Sequence, residues 1–356
     1  MSIKTLHRGE GCAFLTNAHI TEKIPAKPAQ TIVFKNPPHI SGRMSVVGAK
    51  EGKGPLGRYF HRVLSDDKMG EKTFENAEIK MLTTAIDGAV ASAGLKAKDV
   101  DLIISGDLLN QVTTSNYVAR QYHVPYLGVY SACSTMTEAL NLASTFISAG
   151  HFNNILCSTA SHFATAERTY RYPLEYGCQR PPYAQWTVTG AACTVLSAEG
   201  SGPRITMGTV GRVVDFGTTD LNNMGAAMAP AAMDSMVALF RETGAVPEDF
   251  DLIITGDLGK LGSDILRDLM MEQGYYLGQR YIDCGNMMYD VTQKCYQGGS
   301  GAACSATVFN SFVLDKMLDG TYNRVAYFAT GALMNTQSCY QGETIPCISH
   351  AVVIER

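Results

Sequence analysis

The sequence contains Asp99-Val-Asp-Leu-Ile-Ile-Ser-Gly-Asp-Leu108, and it contains nearly the same stretch again as Asp249-Phe-Asp-Leu-Ile-Ile-Thr-Gly-Asp-Leu258. Eight of the ten positions are identical, and the second copy begins 150 residues after the first. Each copy is a short apolar run that ends in Gly-Asp, which is typical of a strand buried on both faces in a helix-covered parallel sheet. The repeat predicts a chain built from two diverged copies of one α/β unit.

The elements around the two copies repeat in the same order. An amphipathic helix is predicted before each copy, and Gly244 follows the second of these helices as a stop signal. Each half then contains an Ala-Cys-Ser triplet that opens a helix, followed by a strand. In the first half these elements are a helix at 77–93, Ser131-Ala-Cys-Ser134 with a helix to about 149, and a strand at 153–158. In the second half they are a helix at 232–243, Ala302-Ala-Cys-Ser305 with a helix to about 318, and a strand at 323–330.

Two halves of this kind indicate an α/β fold with two mixed sheets and with helices between and outside them, in a layered αβαβα arrangement. We assign residues 31–200 to an N-terminal half, 201–356 to a C-terminal half and 1–30 to an N-terminal extension without an assigned role. Ligands of such sheets bind beyond the carboxyl ends of the strands, so the site is expected in the loops that follow them. These loops are residues 107–114, 161–171, 257–262 and 331–335.

Composition excludes several classes of protein. The chain has 356 residues, 17% charged and 46% hydrophobic, with a net charge of -4, so no basic field points to nucleic acid. No apolar run is long enough to span a membrane, and the N-terminus lacks a secretory signal pattern. Ten cysteines without a CxxC pair or zinc-ligand spacing indicate a reducing, cytosolic location and no metal site. Gly52-Lys-Gly-Pro-Leu-Gly57 fits GxGxxG but contains proline and does not join a strand to a helix, so no nucleotide cofactor is expected.

Cys133 is the candidate nucleophile. It lies between a predicted strand and the helix that Ser131-Ala-Cys-Ser134 opens. Unpaired N–H groups at a helix start favour a thiolate, so the position predicts a lowered thiol pKa. The alternative is a small buried residue at a tight strand–helix junction.

A duplicated α/β chain with Ser-Ala-Cys-Ser at the helix start of its first half resembles the thiolase and ketoacyl synthase superfamily. Across roughly residues 46 to 354 the chain more closely resembles the stage V sporulation protein AD (SpoVAD) family. The segments that carry this resemblance are Glu51-Gly-Lys-Gly-Pro-Leu-Gly57, Gly106-Asp-Leu-Leu-Asn-Gln111, Asn116-Tyr-Val-Ala-Arg120, Ala164-Thr-Ala-Glu-Arg168, Arg171-Tyr-Pro-Leu-Glu-Tyr-Gly177, Met228-Ala-Pro-Ala-Ala232, Thr255-Gly-Asp-Leu258, Gly298-Gly-Ser-Gly301 and Ile345-Pro-Cys-Ile348. The resemblance implies a thiolase-like duplicated fold.

The resemblance also implies that the usual catalytic partners of the cysteine are missing from this chain. Condensing enzymes of the superfamily pair the cysteine with His/His or His/Asn from the second half. Here the first of those loops reads Thr255-Gly-Asp-Leu-Gly259, and Gly299 stands where His or Asn is expected. Ala329-Thr-Gly-Ala332 replaces the second cysteine of thiolases. A thiol without an oriented base is a weak catalyst, so we expect a binding role and expect Gly256 and Gly299 to leave space where imidazoles would stand.

Other candidate pocket residues come from the loops that follow strands. His162 and His350 are possible bases, although a hydrogen-bonded core imidazole is the commoner role of a lone histidine. Asp107 and Asp257 end the repeated strands, and at least one of them is expected to cap the next turn. The Gly-rich turn either presents N–H groups to an anion or permits close packing. The remaining candidates are Asn110 in the first loop and Gly299 and Ser300 in that turn.

Glu167, Arg168 and Arg171 form a charged group in the second loop. Arginine presents a planar fork that suits carboxylates, so these residues are candidate ligand contacts. The alternative is a surface salt-bridge cluster with Glu175, which would contribute little.

Three functions follow as hypotheses. The resemblance implies a non-catalytic sporulation protein that binds dipicolinic acid, free or as its calcium chelate, for uptake into the spore, with a further link to germination. It implies other SpoVA proteins as partners, a peripheral place on the cytoplasmic side of the forespore or spore inner membrane, and a homodimer with its seam near residues 121–130. The second hypothesis is an acyltransferase or ketoacyl synthase that uses Cys133 with His162 or His350 in hydrogen-bond reach. The third is a scaffold with a vestigial pocket.

Overall fold

The computed structural model of the chain describes residues 29–171, 173–177 and 179–356. The extension predicted over residues 1–30 therefore lies outside the described residues, apart from its last two. The strands are β1 (Thr31–Val33), β2 (His39–Val47), β3 (Arg62–Val63), β4 (Leu102–Asp107), β5 (Tyr126–Gly128), β6 (Asn154–Ser161), β7 (Trp186–Thr187), β8 (Gly190–Ser197), β9 (Arg204–Thr209), β10 (Leu252–Thr255), β11 (Tyr281–Asp283), β12 (Gly299–Ser300), β13 (Arg324–Ala332) and β14 (Cys347–Glu355).

Helices connect these strands, and three of the four longest overlap helices that the sequence predicts; the fourth, Gly259–Glu272, begins inside the predicted loop 257–262. The α-helices are α1 (Ala49–Gly52), α2 (Phe74–Ser92), α3 (Thr113–Ala119), α4 (Thr135–Ser148), α5 (Phe163–Tyr170), α6 (Met224–Thr243), α7 (Gly259–Glu272), α8 (Cys284–Met288), α9 (Ala302–Val308), α10 (Leu314–Leu318) and α11 (Thr336–Tyr340). A π-helical turn, Phe309–Val313, joins α9 to α10.

The strand order shows the duplication directly. The main sheet runs β11-β10-β13-β14-β9-β2-β8-β6-β4-β5, so each strand of one half has its counterpart at the same distance from the β9–β2 junction. In each half the outer three strands are parallel, and the next two are antiparallel. The two predicted mixed sheets are thus present, and a single residue pair, His39 with Arg204, joins them into one hydrogen-bonded path.

Three apolar clusters separate the layers. The central cluster contains Met136 of α4 and Val308 of α9 together with Tyr327 of the second sheet. A second cluster lies between α2 and the outer face of the first sheet, and a third lies between α6 and the outer face of the second. The layers therefore alternate as αβαβα, which confirms the predicted fold class. Each fully buried large side chain contributes roughly 1.5–3 kcal/mol to this stacking.

The repeated strands behave as their composition predicts. Every residue of β4 and of β10 is buried, because helices cover both faces of each sheet. Gly244 ends α6 with φ of 74°, the left-handed conformation that glycine tolerates. One boundary prediction is wrong: α6 begins at Met224 rather than near residue 232, and Pro230 lies inside it. Tertiary packing of this buried segment outweighs the low helix propensity of proline there.

Candidate functional site

Cys133 lines a cavity of about 50 Å³, which we call the thiol cavity. The predicted loops contribute much of its wall, namely Leu108, Ala166, Arg171, Asp257, Ala332 and Met334. The sequence analysis missed Tyr130, Thr187, Met224 and Met228, which also line it. Tyr130, Thr187 and the two methionines of α6 (Met224–Thr243) come from three separate parts of the chain that only the tertiary fold brings together. The segments that follow the strands therefore do meet at one place, although residues 161–171, predicted as a loop, form mostly α5 (Phe163–Tyr170).

The turn that carries Cys133 is fixed from the second half. Ala132 adopts φ of 51°, an uncommon value for a residue with a side chain. The Ser134 hydroxyl donates to the Ala329 carbonyl oxygen at 2.8 Å, and the His350 N–H donates to Ser134 Oγ at 3.1 Å. A Cβ at Gly331 would lie 2.1 Å from the Ser131 carbonyl oxygen. The β13 and β14 backbones therefore hold this strained turn in place.

Asp257 is the acidic neighbour of the thiol. Its carboxylate accepts from the Thr330 hydroxyl at 2.7 Å and from the Gly301 N–H at 3.1 Å, and it lines the thiol cavity together with Cys133. Burial, opposed by these donors, raises the Asp257 pKa to about 7. The loop 255–259, in which the resemblance places a catalytic histidine of condensing enzymes, thus supplies a carboxyl group next to Cys133.

The prediction of a lowered thiol pKa is wrong. Burial raises the pKa of Cys133 well above its usual value, and the neighbouring Asp257 raises it further. The Gly301 N–H and the Arg171 guanidinium oppose this rise without reversing it. A helix start favours a thiolate only where desolvation is small, and here burial is the largest effect.

The two histidines have structural contacts and do not line the thiol cavity. The ring of His162 accepts from the Ala164 N–H at 3.1 Å, and its other nitrogen lies 2.9 Å from the Asp67 carbonyl oxygen. His350 accepts from the Gly211 N–H at 3.1 Å. Burial lowers the pKa of both, to about 4 for His350. These contacts match the core-imidazole interpretation.

The prediction that glycines leave room for imidazoles is also wrong. A Cβ at Gly299 would lie 3.1 Å from Met288 Cβ and 3.2 Å from Cys304 Sγ. A Cβ at Gly256 would lie 3.0 Å from the Thr330 nitrogen. The space is already filled by backbone and apolar atoms, so both glycines permit close packing. Gly299 does not line the thiol cavity, whereas Ser300 does.

The repeated aspartates have diverged in role. Asp107 caps its own turn, accepting from the Leu109 N–H at 2.9 Å and from the Ser115 N–H at 2.8 Å. In the second half Asp283 takes over this role, because it accepts from the N–H groups of Leu258 and Gly259. Asp257 is thereby released from capping and faces the thiol. The expectation that at least one of the two is a cap is confirmed for Asp107.

The charged group splits into an exposed and a buried part. Arg168 is exposed and pairs with Glu75, so it lies outside the cavity wall. Arg171 Nη1 donates to Glu167 Oε1 at 2.7 Å, and Arg180 pairs with the same oxygen. The expected partner, Glu175, takes no part in these ion pairs. Arg180 was missed because it lies nine residues beyond the predicted loop.

A wider cleft adjoins the thiol cavity. Its volume is about 420 Å³, and Asn110 lies on its wall. Tyr130, Tyr170 and Met334 line both spaces. The Tyr130 and Tyr170 hydroxyl groups are 3.0 Å apart, and the Tyr170 hydroxyl donates to the Leu108 carbonyl oxygen. This tyrosine pair therefore forms the partition between the outer cleft and the thiol cavity.

Metal-binding clusters and membrane-spanning helices are both absent from the part of the chain that the structure describes. Within residues 29–171, 173–177 and 179–356, no group of three His, Cys, Asp or Glu side chains is placed to hold a metal ion. Over the same ranges, no helix has the length and apolar character required to cross a membrane.

Comparisons with solved structures agree with this architecture. Crystallised 3-oxoacyl-[acyl-carrier-protein] synthase III from Aquifex aeolicus VF5 matches with a TM-score of 0.57 at 16% identity, over 90% of this chain and 100% of that one. A variant of Xanthomonas campestris OleA, crystallised with bound lauric acid and lauroyl-CoA, matches with a TM-score of 0.58 at 14% identity, over 90% and 100% of the two chains. At such identities the likeness shows the thiolase-like fold alone.

Comparisons of sequence identify the family. The family model described as Stage V sporulation protein AD (SpoVAD) matches residues 28–355. The Stage V sporulation protein AD of Bacillus subtilis (strain 168) is 43% identical over 327 residues, which are 92% of this chain and 97% of that protein. The chain therefore belongs to the stage V sporulation protein AD family.

Proposed function

We propose that this sporulation protein binds dipicolinate, free or as its calcium chelate, at the thiol cavity and that it does not catalyse acyl transfer. Family membership supports the role in sporulation. One observation carries the rest: Cys133 and the acidic Asp257 line the same cavity, and no imidazole lines it in the described residues.

This pairing disfavours a nucleophile. Thiolate formation beside an ionised carboxylate would place two negative charges together in a buried site, where such repulsion is strong. Acyl transfer needs a base that leaves the thiolate stabilised and donors that hold the thioester oxygen. The Gly301 N–H, a natural donor for that oxygen, is already used by Asp257.

The same cavity suits a planar dicarboxylate. Arg171 supplies a guanidinium at one side, and Met224 and Met228 supply an apolar wall. A pyridine ring with two carboxylates needs several times the roughly 30 Å³ that one water molecule occupies in the liquid. We therefore propose that the ligand extends from the thiol cavity into the outer cleft, with the tyrosine pair separated and Asn110 within reach.

Calorimetric titration with dipicolinate, with and without calcium, tests the proposal. Ala332→Leu fills part of the thiol cavity and should abolish the heat, whereas Ala149→Leu, at an exposed helix end, should bind as the wild type does. Absence of heat and of a thermal shift for the wild type at millimolar ligand would overturn the binding role and favour a scaffold. Incubation with acyl-CoA and intact mass spectrometry tests the second half of the proposal, because an acyl adduct on Cys133 would contradict it.

The partners are part of the same proposal. We infer that the chain acts with other SpoVA proteins at the spore inner membrane, held there peripherally, and that it forms a homodimer. Strand β5 lies at the end of the main sheet and pairs only with β4 in the described residues, which supports a seam near residues 121–130. Light scattering on the purified chain distinguishes a dimer from a monomer, and Leu127→Lys on β5 should shift a dimer towards monomer.

A further inference from the structure

Arg171 and Arg180 share a single carboxylate oxygen, Glu167 Oε1. The side chains are little exposed, at 8% for Arg171, 16% for Arg180 and 10% for Glu167. Arg171 Nε is buried without a hydrogen-bond partner. Two guanidinium groups against one carboxylate leave an excess positive charge, which is costly at a largely buried position.

Two aromatic rings lie beside Arg180. Phe163 and Trp186 stack with their centroids 4.0 Å apart and their planes 9° from parallel. The Arg180 guanidinium lies 5.0 Å from the Phe163 centroid and 4.9 Å from the Trp186 centroid, within cation–π range of both rings. These rings attract the guanidinium but carry no negative charge, so the excess positive charge of the group remains.

A cleft of about 170 Å³ opens at this group, and we call it the arginine cleft. Arg171, Arg180 and Glu167 line it, and Glu167 is the one acidic side chain among its described lining residues. Phe163, Leu174 and Pro181 give it an apolar wall. Arg171 also lines the thiol cavity, so its side chain is shared by the walls of the two spaces.

We propose that the arginine cleft binds small aromatic carboxylates at a site separate from the thiol cavity. The carboxylate would take the excess positive charge as a partner, with Arg180 presenting its planar fork. The ring would lie against Phe163 and the neighbouring apolar side chains. The inference does not depend on dipicolinate binding at the thiol cavity, because Arg180 lines the arginine cleft and not the thiol cavity.

Titration of the full chain with benzoate tests the site, with benzamide as the uncharged ligand of the same shape. Benzoate should bind Arg180→Gln at least about tenfold more weakly than the wild type, since a lost charge-assisted hydrogen bond has an effect of that order. Arg180→Lys keeps the charge without the fork and should show an intermediate loss. Arg324→Gln is the matched control, because Arg324 also lies near a ring, Phe250, and pairs with a carboxylate, Glu355, outside both cavities.

The outcomes separate this site from the thiol cavity. Benzoate binding that persists in Ala332→Leu and is lost in Arg180→Gln supports the proposal, even where dipicolinate fails to bind. Equal binding of benzoate and benzamide, or equal benzoate binding by the wild type and both Arg180 variants, overturns it. Inorganic phosphate that binds as tightly as benzoate overturns the aromatic preference. Thermal unfolding of each variant shows whether it is folded. If Arg180→Gln does not fold, the comparison of Arg180→Lys with the wild type still decides the test.

Discussion

Replacing Asp257 by Asn should make Cys133 more reactive. The neighbouring carboxylate raises the thiol pKa, because its negative charge disfavours a thiolate beside it. Asn removes the charge while keeping the size of the side chain and an oxygen that can accept from Thr330. The thiol pKa of the variant should therefore fall, and the thiolate fraction at a given pH should rise.

The size of the effect follows from the contact. Two charges about 4 Å apart at an effective dielectric constant of about 20 interact by about 4 kcal/mol, equivalent to about 3 pK units. This is an upper bound, because Thr330 and Gly301 already donate to the carboxylate and because Asp257, with a pKa raised to about 7, is fully ionised only at higher pH. We expect carbamidomethylation of Cys133 at pH 8 to be about three- to fiftyfold faster in the variant, because a larger thiolate fraction is partly offset by the lower nucleophilicity of a less basic thiolate.

The assay is the rate of Cys133 carbamidomethylation between pH 7 and 10, read by peptide mass spectrometry. Cys339, also partly exposed, is the internal standard. Asp264→Asn is the control variant, because Asp264 is exposed and pairs with Lys260. A Cys133 rate in Asp257→Asn that equals or falls below the wild-type rate at pH 8, with Cys339 unchanged, would refute the assignment of Asp257 as the group that keeps the thiol protonated.

Three further predictions concern the surroundings of the site. Burial raises the Glu78 pKa from 4.5 to about 8. Between these pH values the folded state holds a proton that the unfolded chain releases, so the free energy of unfolding falls as pH rises. In urea unfolding at pH 6 and 8, Glu78→Gln should flatten this slope by up to about 1.4 kcal/mol per pH unit, whereas Glu71→Gln should leave it unchanged. Tyr170→Phe removes the hydroxyl that pairs with Tyr130 and should speed labelling of Cys133 by a bulky maleimide several-fold, whereas Tyr117→Phe should have no effect. Gly331→Ala places a Cβ 2.1 Å from the Ser131 carbonyl oxygen and should cost about 1–3 kcal/mol, seen as a lower Tm; an unchanged Tm would show that the Cys133 turn is free to move.

The fold could be predicted because its information is local and repeated. The buried strands that end in Gly-Asp, and the helices that flank them, can be identified from their composition. The repeat then shows which elements of the two halves correspond. Helix boundaries were predicted wrongly where tertiary packing competes with helix propensity. Pro230, for example, lies inside α6 because most of that helix is buried.

The position of the site could be predicted from the sequence, but its chemistry was predicted less well. The loops that follow the strands do converge, yet the partner of Cys133 is 124 residues away, and its contact depends on the two halves meeting. The sequence favoured a lowered thiol pKa because it shows the helix start but not the burial around it. Asp107 and Asp257 look alike in sequence and differ in role because Asp283 caps the second turn. Arg180 could not be identified as a site residue from the sequence, because its ion pair depends on the path of a loop and hydrophobic periodicity does not predict loop paths.

The most direct test of the central claim is protection of Cys133 by ligand. The rate of Cys133 carbamidomethylation is measured in the wild type with increasing dipicolinate, with Cys339 in the same sample as reference. A ligand bound at the thiol cavity should slow the reaction of Cys133 in a saturable manner and leave Cys339 unaffected. An unchanged Cys133 rate at millimolar dipicolinate, with and without calcium, would contradict the account of this cavity as the binding site.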